Sequence, residues 1–64
     1  MIAKLRGIID QIGEDYIIID VSGVGYLVYC SSKVINKLST KGQLDEILIQ
    51  TIVREDQITL YGFK

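Results

Sequence analysis

Hydrophobic and polar residues alternate along most of this 64-residue chain, and a spacing of two is typical of β-strands with one face in a core. Five runs show the alternation, separated by short polar or glycine-containing segments. The second run, Tyr-Ile-Ile-Ile-Asp-Val, is the clearest, because β-branched and aromatic residues suit a pleated surface. The predicted strands are residues 2–11, 16–21, 26–30, 44–53 and 57–63.

Glycine marks two places where this alternation is interrupted. Gly7 lies inside the first predicted strand, which predicts a bulge or a tight bend there. Residues 22–25, Ser-Gly-Val-Gly, predict a short connection between the second and third strands. Those two strands should therefore form an antiparallel hairpin.

The fourth predicted strand is apolar on both faces. Ile47, Ile49 and Val53 should point to one side, and Leu48 and Ile52 to the other. One face belongs in the core. The other predicts contacts with further domains or subunits, or else loose packing in a small barrel.

One segment has the pattern of a short helix. Ser31 is a suitable amino-terminal cap, and Val34, Ile35 and Leu38 fall on one apolar face. The order is therefore β-β-β-α-β-β with an irregular first strand, which predicts an all-β fold, the five-stranded Greek-key barrel called the OB-fold. A small SH3-like barrel fits the strand count almost as well.

Composition narrows the classes of function. A chain of this length forms one domain and buries only roughly 60% of its unfolded surface. Cys30 is the single cysteine and there is no histidine, so disulfides and Ser-His-Asp or Cys-His catalysis are excluded, and Cys30 is predicted to be a small buried hydrophobe. A net charge of −1 means that charge alone does not attract a polyanion.

The two ends of the sequence predict where the protein is located and whether it is part of a longer chain. The first residues lack the features of a secretory signal, and no apolar run reaches the ~20 residues that span a membrane, so a cytoplasmic protein is expected. Lys64 follows a predicted strand directly. We therefore expect residues 1–64 to be one domain of a longer protein.

Glu55 and Asp56 form the apex between the fourth and fifth strands. By composition they resemble the acid pairs at residues 14–15 and 45–46, for which a solvated turn or a charged strand edge is the expected explanation. Two carboxylates without a third ligand make a poor site for a divalent cation, so neither a metal nor a cofactor is predicted. A metal-dependent nuclease built on this pair remains an alternative.

The aromatic side chains raise a second alternative. An OB-fold that binds single-stranded nucleic acid combines stacking aromatics with a basic groove. Packing is the favoured role of most tyrosines here, because the basic residues are scattered along the chain. A general single-strand-binding module would instead use Tyr16, Tyr26, Tyr29 or Tyr61.

Several blocks of sequence carry a family resemblance. They are Met1-Ile2, Leu5-Arg6-Gly7, Val21-x-Gly23-Val24-Gly25-Tyr26, Val53-Arg54-Glu55-Asp56 and Leu60-Tyr61-Gly62-Phe63. In these blocks, in register over its whole length, the chain resembles the amino-terminal domain of the RuvA family, Holliday-junction-binding subunits of the bacterial branch-migration complex. Ala3 stands where glycine is often expected, and residues 31–43 carry little of the family signature.

The resemblance implies a non-catalytic DNA-architecture domain, acting in recombination, DNA repair and the SOS response. Residues 1–64 would be domain I, an OB-fold, with a helix-hairpin-helix domain II and a RuvB-binding domain III absent from this sequence. The implied partners are Holliday junction DNA, other RuvA protomers in a homotetramer, the RuvB ATPase, which hydrolyses the ATP, and the RuvC resolvase; no membrane is involved.

The resemblance also assigns a role to the apex. Glu55 and Asp56 correspond to the family's acidic pin, which guides strand separation at the junction centre. Arg54, beside the pin, would either attract phosphates or pair with a neighbouring acid, and pairing is slightly preferred.

Overall fold

A computed structural model describes residues Met1–Lys64 and contains five strands and one helix in the predicted order. The elements are β1 Lys4–Ile12, β2 Tyr16–Val21, β3 Val24–Tyr29, α1 Ser32–Lys37, β4 Leu44–Arg54 and β5 Gln57–Phe63. The predicted bounds of β2 and β5 are confirmed, and the other elements differ by one to two residues at their ends.

The strands form a closed barrel in the order β1-β2-β3-β5-β4, with β4 returning to β1. All neighbouring pairs are antiparallel except β3 and β5, which meet in parallel at Tyr29 and Tyr61. This is the Greek-key connectivity of the OB-fold, with the short helix between β3 and β4. The predicted OB-fold is confirmed over the SH3-like alternative.

The barrel core is apolar and dominated by isoleucine. Alternate positions of the strands supply nine buried side chains, namely Leu5, Ile9, Ile17, Ile19, Val28, Cys30, Ile47, Ile49 and Leu60. Burial raises the pKa of the Cys30 thiol, against a smaller opposing effect of a hydrogen bond with the Gly62 backbone. The prediction that Cys30 is a small buried hydrophobe is confirmed.

Helix α1 covers part of the core. The Oγ of Ser31 accepts a hydrogen bond from the N–H of Val34 at 3.3 Å, which confirms the predicted cap. Val34, Ile35 and Leu38 are half-buried and pack against the core cluster, as predicted. The structure contains no helix with the length and apolarity needed to cross a membrane.

The irregularity of β1 lies three residues beyond Gly7. Residues 4–8 of β1 pair with β4 and residues 8–12 pair with β2, and the register shifts between Ile9 and Gln11, where Asp10 is the extra residue. Gly7 is instead a place of close approach, because a Cβ there would lie 2.2 Å from the backbone oxygen of Asp20. Of the two alternatives predicted at Gly7, the bulge is wrong, and the tight bend stays a prediction.

The connection between β2 and β3 is shorter than predicted. Ser22 and Gly23 alone form the turn, with φ of 54° and 90°. Positive φ at both central residues is the geometry of a two-residue primed turn, which matches the twist of the flanking strands. Val24 and Gly25 consequently belong to β3, and Cys30 lies just after it.

Candidate functional site

Strands β4 and β5 extend beyond the barrel as a two-stranded arm. β4 pairs with β1 as far as Leu48, and hydrogen bonds from Ile49 to Ala3 and from Thr51 to Ile2 continue this contact. Its pairing with β5 continues further, to Arg54 opposite Gln57. Thr51 lies opposite Leu60, the buried residue of β5 nearest the turn. At ~3.3 Å per residue, Arg54 lies ~10 Å further out. We call residues 52–59 the tip hairpin.

Glu55 and Asp56 form the turn of the tip hairpin. Neither has a positive φ, so the turn needs no glycine and is not of the primed type. Both residues are exposed, and neither side chain takes part in a hydrogen bond or an ion pair. The structure therefore places two adjacent, unpaired carboxylates at the outermost point of the arm.

No ion pair joins Arg54 to these acids. It is exposed at the end of β4, and the two ion pairs of the structure join Lys4 to Glu46 and Lys64 to Asp45. Arg54 still belongs to the strand, whose successive side chains point to opposite faces, whereas Glu55 lies in the turn. The structure contains no ion pair of Arg54 with a neighbouring acid, and the role of Arg54, as a partner of phosphates or of an acid, stays a prediction.

The acid pair at residues 45–46 has quite different surroundings. The side chain of Asp45 is only 10% exposed and accepts hydrogen bonds from the Ser39 and Glu46 N–H groups at 2.7 Å and from the Lys64 ammonium. Burial alone would raise the pKa of Asp45, but these donors and the Lys64 charge lower it to about 2. The expectation of a solvated or edge acid is wrong for Asp45, which is a structural anchor.

Nothing in the local sequence distinguishes Asp45 from the tip acids. Its ammonium partner lies 19 residues further along the chain, and only the closure of the barrel brings the two together. No group of three or more Asp, Glu, Cys or His side chains is close enough to hold a metal ion.

An aromatic groove lies on the outside of the barrel, away from the Glu55–Asp56 turn. The rings of Tyr29 and Tyr61 have centroids 6.1 Å apart and are tilted by 39°. With Phe63 they line an open groove of about 440 Å³ whose other lining residues include Asp15 and Gln50 but neither lysine nor arginine. The sequence could not indicate this arrangement, because β3 and β5 are not consecutive.

Comparison with known proteins decides the family. Residues 1–62 match the family described as the RuvA N terminal domain. The chain belongs to this family.

Proteins from several bacteria are similar to this chain over its full length. Proteins named Holliday junction branch migration complex subunit RuvA are 55% identical in Nitrobacter winogradskyi, 53% in Afipia carboxidovorans and 52% in Methylobacterium radiotolerans. Each alignment covers 100% of this chain and 31% of the relative. The chain thus spans about a third of the length of these RuvA proteins.

The family match includes the tip hairpin. The resemblance to RuvA drawn from the sequence blocks is thereby confirmed, and the matched range contains Arg54, Glu55 and Asp56. The roles of these three residues remain predictions. The geometry of the arm shows that all three are exposed at its end.

Proposed function

We propose that this chain is the junction-facing domain of a Holliday-junction-binding RuvA subunit, and that Glu55 and Asp56 restrict the path of DNA strands at the junction centre. The observation that supports this most is the position of two exposed, unpaired carboxylates at the end of an arm that leaves the barrel. An acid pair that only capped a turn would need no such projection.

The mechanism is electrostatic repulsion at short range. At physiological salt the field of a carboxylate extends only ~8 Å, so the tip acts on DNA that other contacts already hold close. Phosphates pressed against the tip are repelled, whereas distant duplex is unaffected. In a four-fold symmetric tetramer the acids of every subunit would surround the axis, where they favour strands that part over a continuous duplex.

Attraction to DNA is assigned to other parts of the assembly. With a net charge of −1 this domain supplies little non-specific attraction for phosphates. We propose that duplex arms are held by helix-hairpin-helix segments of the complete subunit, that RuvB hydrolyses ATP, and that RuvC resolves the junction. This domain is then non-catalytic, and its contribution is to restrict the path of the DNA strands.

Neutralising the tip acids tests the proposal. In the intact protein that carries this sequence, Glu55→Gln with Asp56→Asn should raise affinity for linear duplex roughly three- to tenfold, because each removed charge relieves repulsion from nearby phosphates. The ratio of junction to duplex affinity should fall accordingly. Titration of labelled duplex and labelled four-way junction measures both quantities.

The chain offers a matched control for this experiment. Glu14→Gln with Asp15→Asn removes the same charge from an exposed adjacent pair in the loop between β1 and β2. It should leave both affinities near the values of the unmodified protein. Equal effects of the two double variants, or no effect of the tip variant, would contradict the proposal.

The aromatic groove supports a second candidate, binding of single-stranded DNA. Tyr29 and Tyr61 present partly exposed rings suited to stacking with bases. Replacing both by leucine tests this, since a stacking site should lose roughly tenfold or more of its affinity for oligo-dT. The primary proposal predicts weak oligo-dT binding that this variant leaves unchanged, because no basic residue lines the groove.

A further inference from the structure

The tip hairpin carries an exposed apolar pair behind its acids. Val53 and Ile58 lie directly opposite each other in the β4–β5 register, so their side chains share one face of the hairpin. They are 63% and 69% exposed, more than any other large hydrophobic residue except Met1. The sequence pattern had placed Val53 on the same face as the buried Ile47 and Ile49.

The pair continues the inward-facing row of the barrel beyond the barrel's end. On the same face, Ile49 lies opposite Gly62 and Thr51 opposite Leu60, and Ile49, Gly62 and Leu60 are buried. One step further the barrel no longer covers the hairpin. Val53 and Ile58 are therefore apolar, as core residues are, although they contribute nothing to the core of this domain.

We propose that Val53 and Ile58 form an apolar wedge that contacts the faces of unpaired bases at the opened centre of the junction. This inference rests on the proposed function, since it needs the tip to lie among parting strands. Proteins that open or kink DNA often place aliphatic side chains against base steps in this way.

The negative charges of Glu55 and Asp56 favour the face of a base, and not a phosphate, as the partner of the wedge. Two residues along a strand span ~7 Å, so the pair lies within about one Debye length, ~8 Å, of the turn acids. Phosphates are repelled within that distance, whereas the faces of bases are uncharged and apolar. A second tip would bring like charges together, so packing of one tip against another is disfavoured.

The alternation of the hairpin assigns different contacts to its two faces. Val53 and Ile58 occupy one face, whereas Arg54 and Gln57 form the next opposed pair on the other face. The base-contacting face thus carries no charged side chain of its own.

A fluorescent base at the crossover tests the wedge directly. 2-Aminopurine placed beside the branch point brightens when it loses stacking, and binding of the unmodified intact protein should raise its fluorescence. Val53→Thr with Ile58→Thr keeps two β-branched residues but replaces one methyl group of Val53 and the ethyl group of Ile58 by a hydroxyl group. It should remove roughly half or more of that rise, because the bases restack when the wedge becomes polar.

Two control variants isolate the apolar contact. Val24→Thr makes the same change at an exposed valine next to the β2–β3 turn and should leave the fluorescence rise unchanged. Ile58→Leu keeps the apolar surface and should retain the full rise. Loss of the signal in Val24→Thr, or its persistence in the double threonine variant, overturns the inference.

The outcomes also separate this inference from the proposed function. If Glu55→Gln with Asp56→Asn changes duplex affinity but the threonine variant keeps the full fluorescence rise, only the wedge is overturned. If the tip acids have no effect on duplex affinity, both are overturned. A changed light-scattering mass of the threonine variant would show that the pair belongs to a contact between subunits, which also overturns the wedge.

Discussion

Asp45 and Glu55 are carboxylates from similar adjacent acid pairs, yet the fold gives them opposite roles. Asp45 is enclosed by hydrogen-bond donors from a loop, its own strand and Lys64, whereas Glu55 has no partner at all. A buried carboxylate of this kind stabilises the fold as an anion. An unpaired exposed carboxylate contributes little to stability and is free to act on a ligand.

The lowered pKa of Asp45 makes stability depend on pH. Folding lowers this pKa from 3.8 to about 2, so its contribution is fully present above about pH 4 and is lost as the pH falls through about 2. Asp45→Asn should reduce the free energy of unfolding by about 1–2 kcal/mol at pH 7, less than the full shift implies because Lys64 is partly exposed to screening solvent.

Denaturant unfolding at two pH values checks this. The difference between the unmodified protein and Asp45→Asn should shrink at pH 2, where the anion is partly protonated in the folded state too. Asp10→Asn, at an exposed aspartate without a side-chain partner, should have little effect at either pH. A difference for Asp45→Asn that stays constant between pH 7 and pH 2 would contradict the assignment.

Among the elements, the two tight hairpins are built differently. Ser22 and Gly23 adopt positive φ, and the Asp20 side chain accepts the Gly23 N–H at 2.7 Å, whereas the Glu55–Asp56 turn has no positive φ. The first turn is closed by backbone geometry that favours asparagine or glycine. The second accepts ordinary residues, so its acids are not explained by the conformation of the turn.

Substitution of Ser22 tests the turn type. Asparagine adopts positive φ more readily than serine, so Ser22→Asn should stabilise the domain by about 0.5 kcal/mol. Ser22→Val should destabilise it by about 1–2 kcal/mol, because a β-branched residue is strained there. Thermal unfolding of the two variants measures the difference, and equal stabilities would rule out this turn geometry.

Sequence patterns predicted the elements better than their irregularities. Tyr16–Val21 and Gln57–Phe63 have clean alternation bounded by polar turns, and their bounds were right. Gly7 was misassigned because a glycine needed for close approach and a glycine at a bulge look alike in sequence. Alternation placed Val53 correctly on the face of Ile47 and Ile49, but it does not give the length of the barrel that covers that face.

For the molecule as a whole, the position of the tip acids was predictable but their isolation was not. The apex between two strands fixed Glu55 and Asp56 at a turn. The sequence could not show which acids the basic residues would pair with, because the pairing depends on closure of the barrel. In the closed barrel Lys4 pairs with Glu46 and Lys64 pairs with Asp45. The fold thus pairs Glu46 and Asp45 of the barrel with lysines and leaves both tip acids without a partner.

The salt dependence of the tip effect is the most direct test of repulsion by the pin. With the intact protein, the ratio of duplex affinities between Glu55→Gln/Asp56→Asn and the unmodified protein should be largest near 0.01 M salt, where the Debye length is ~30 Å, and approach one near 1 M, where it is ~3 Å. Unfolding stability should change by less than ~0.5 kcal/mol, since both residues are exposed and unpaired. A ratio that stays constant across this range, or that equals one throughout, would contradict the account.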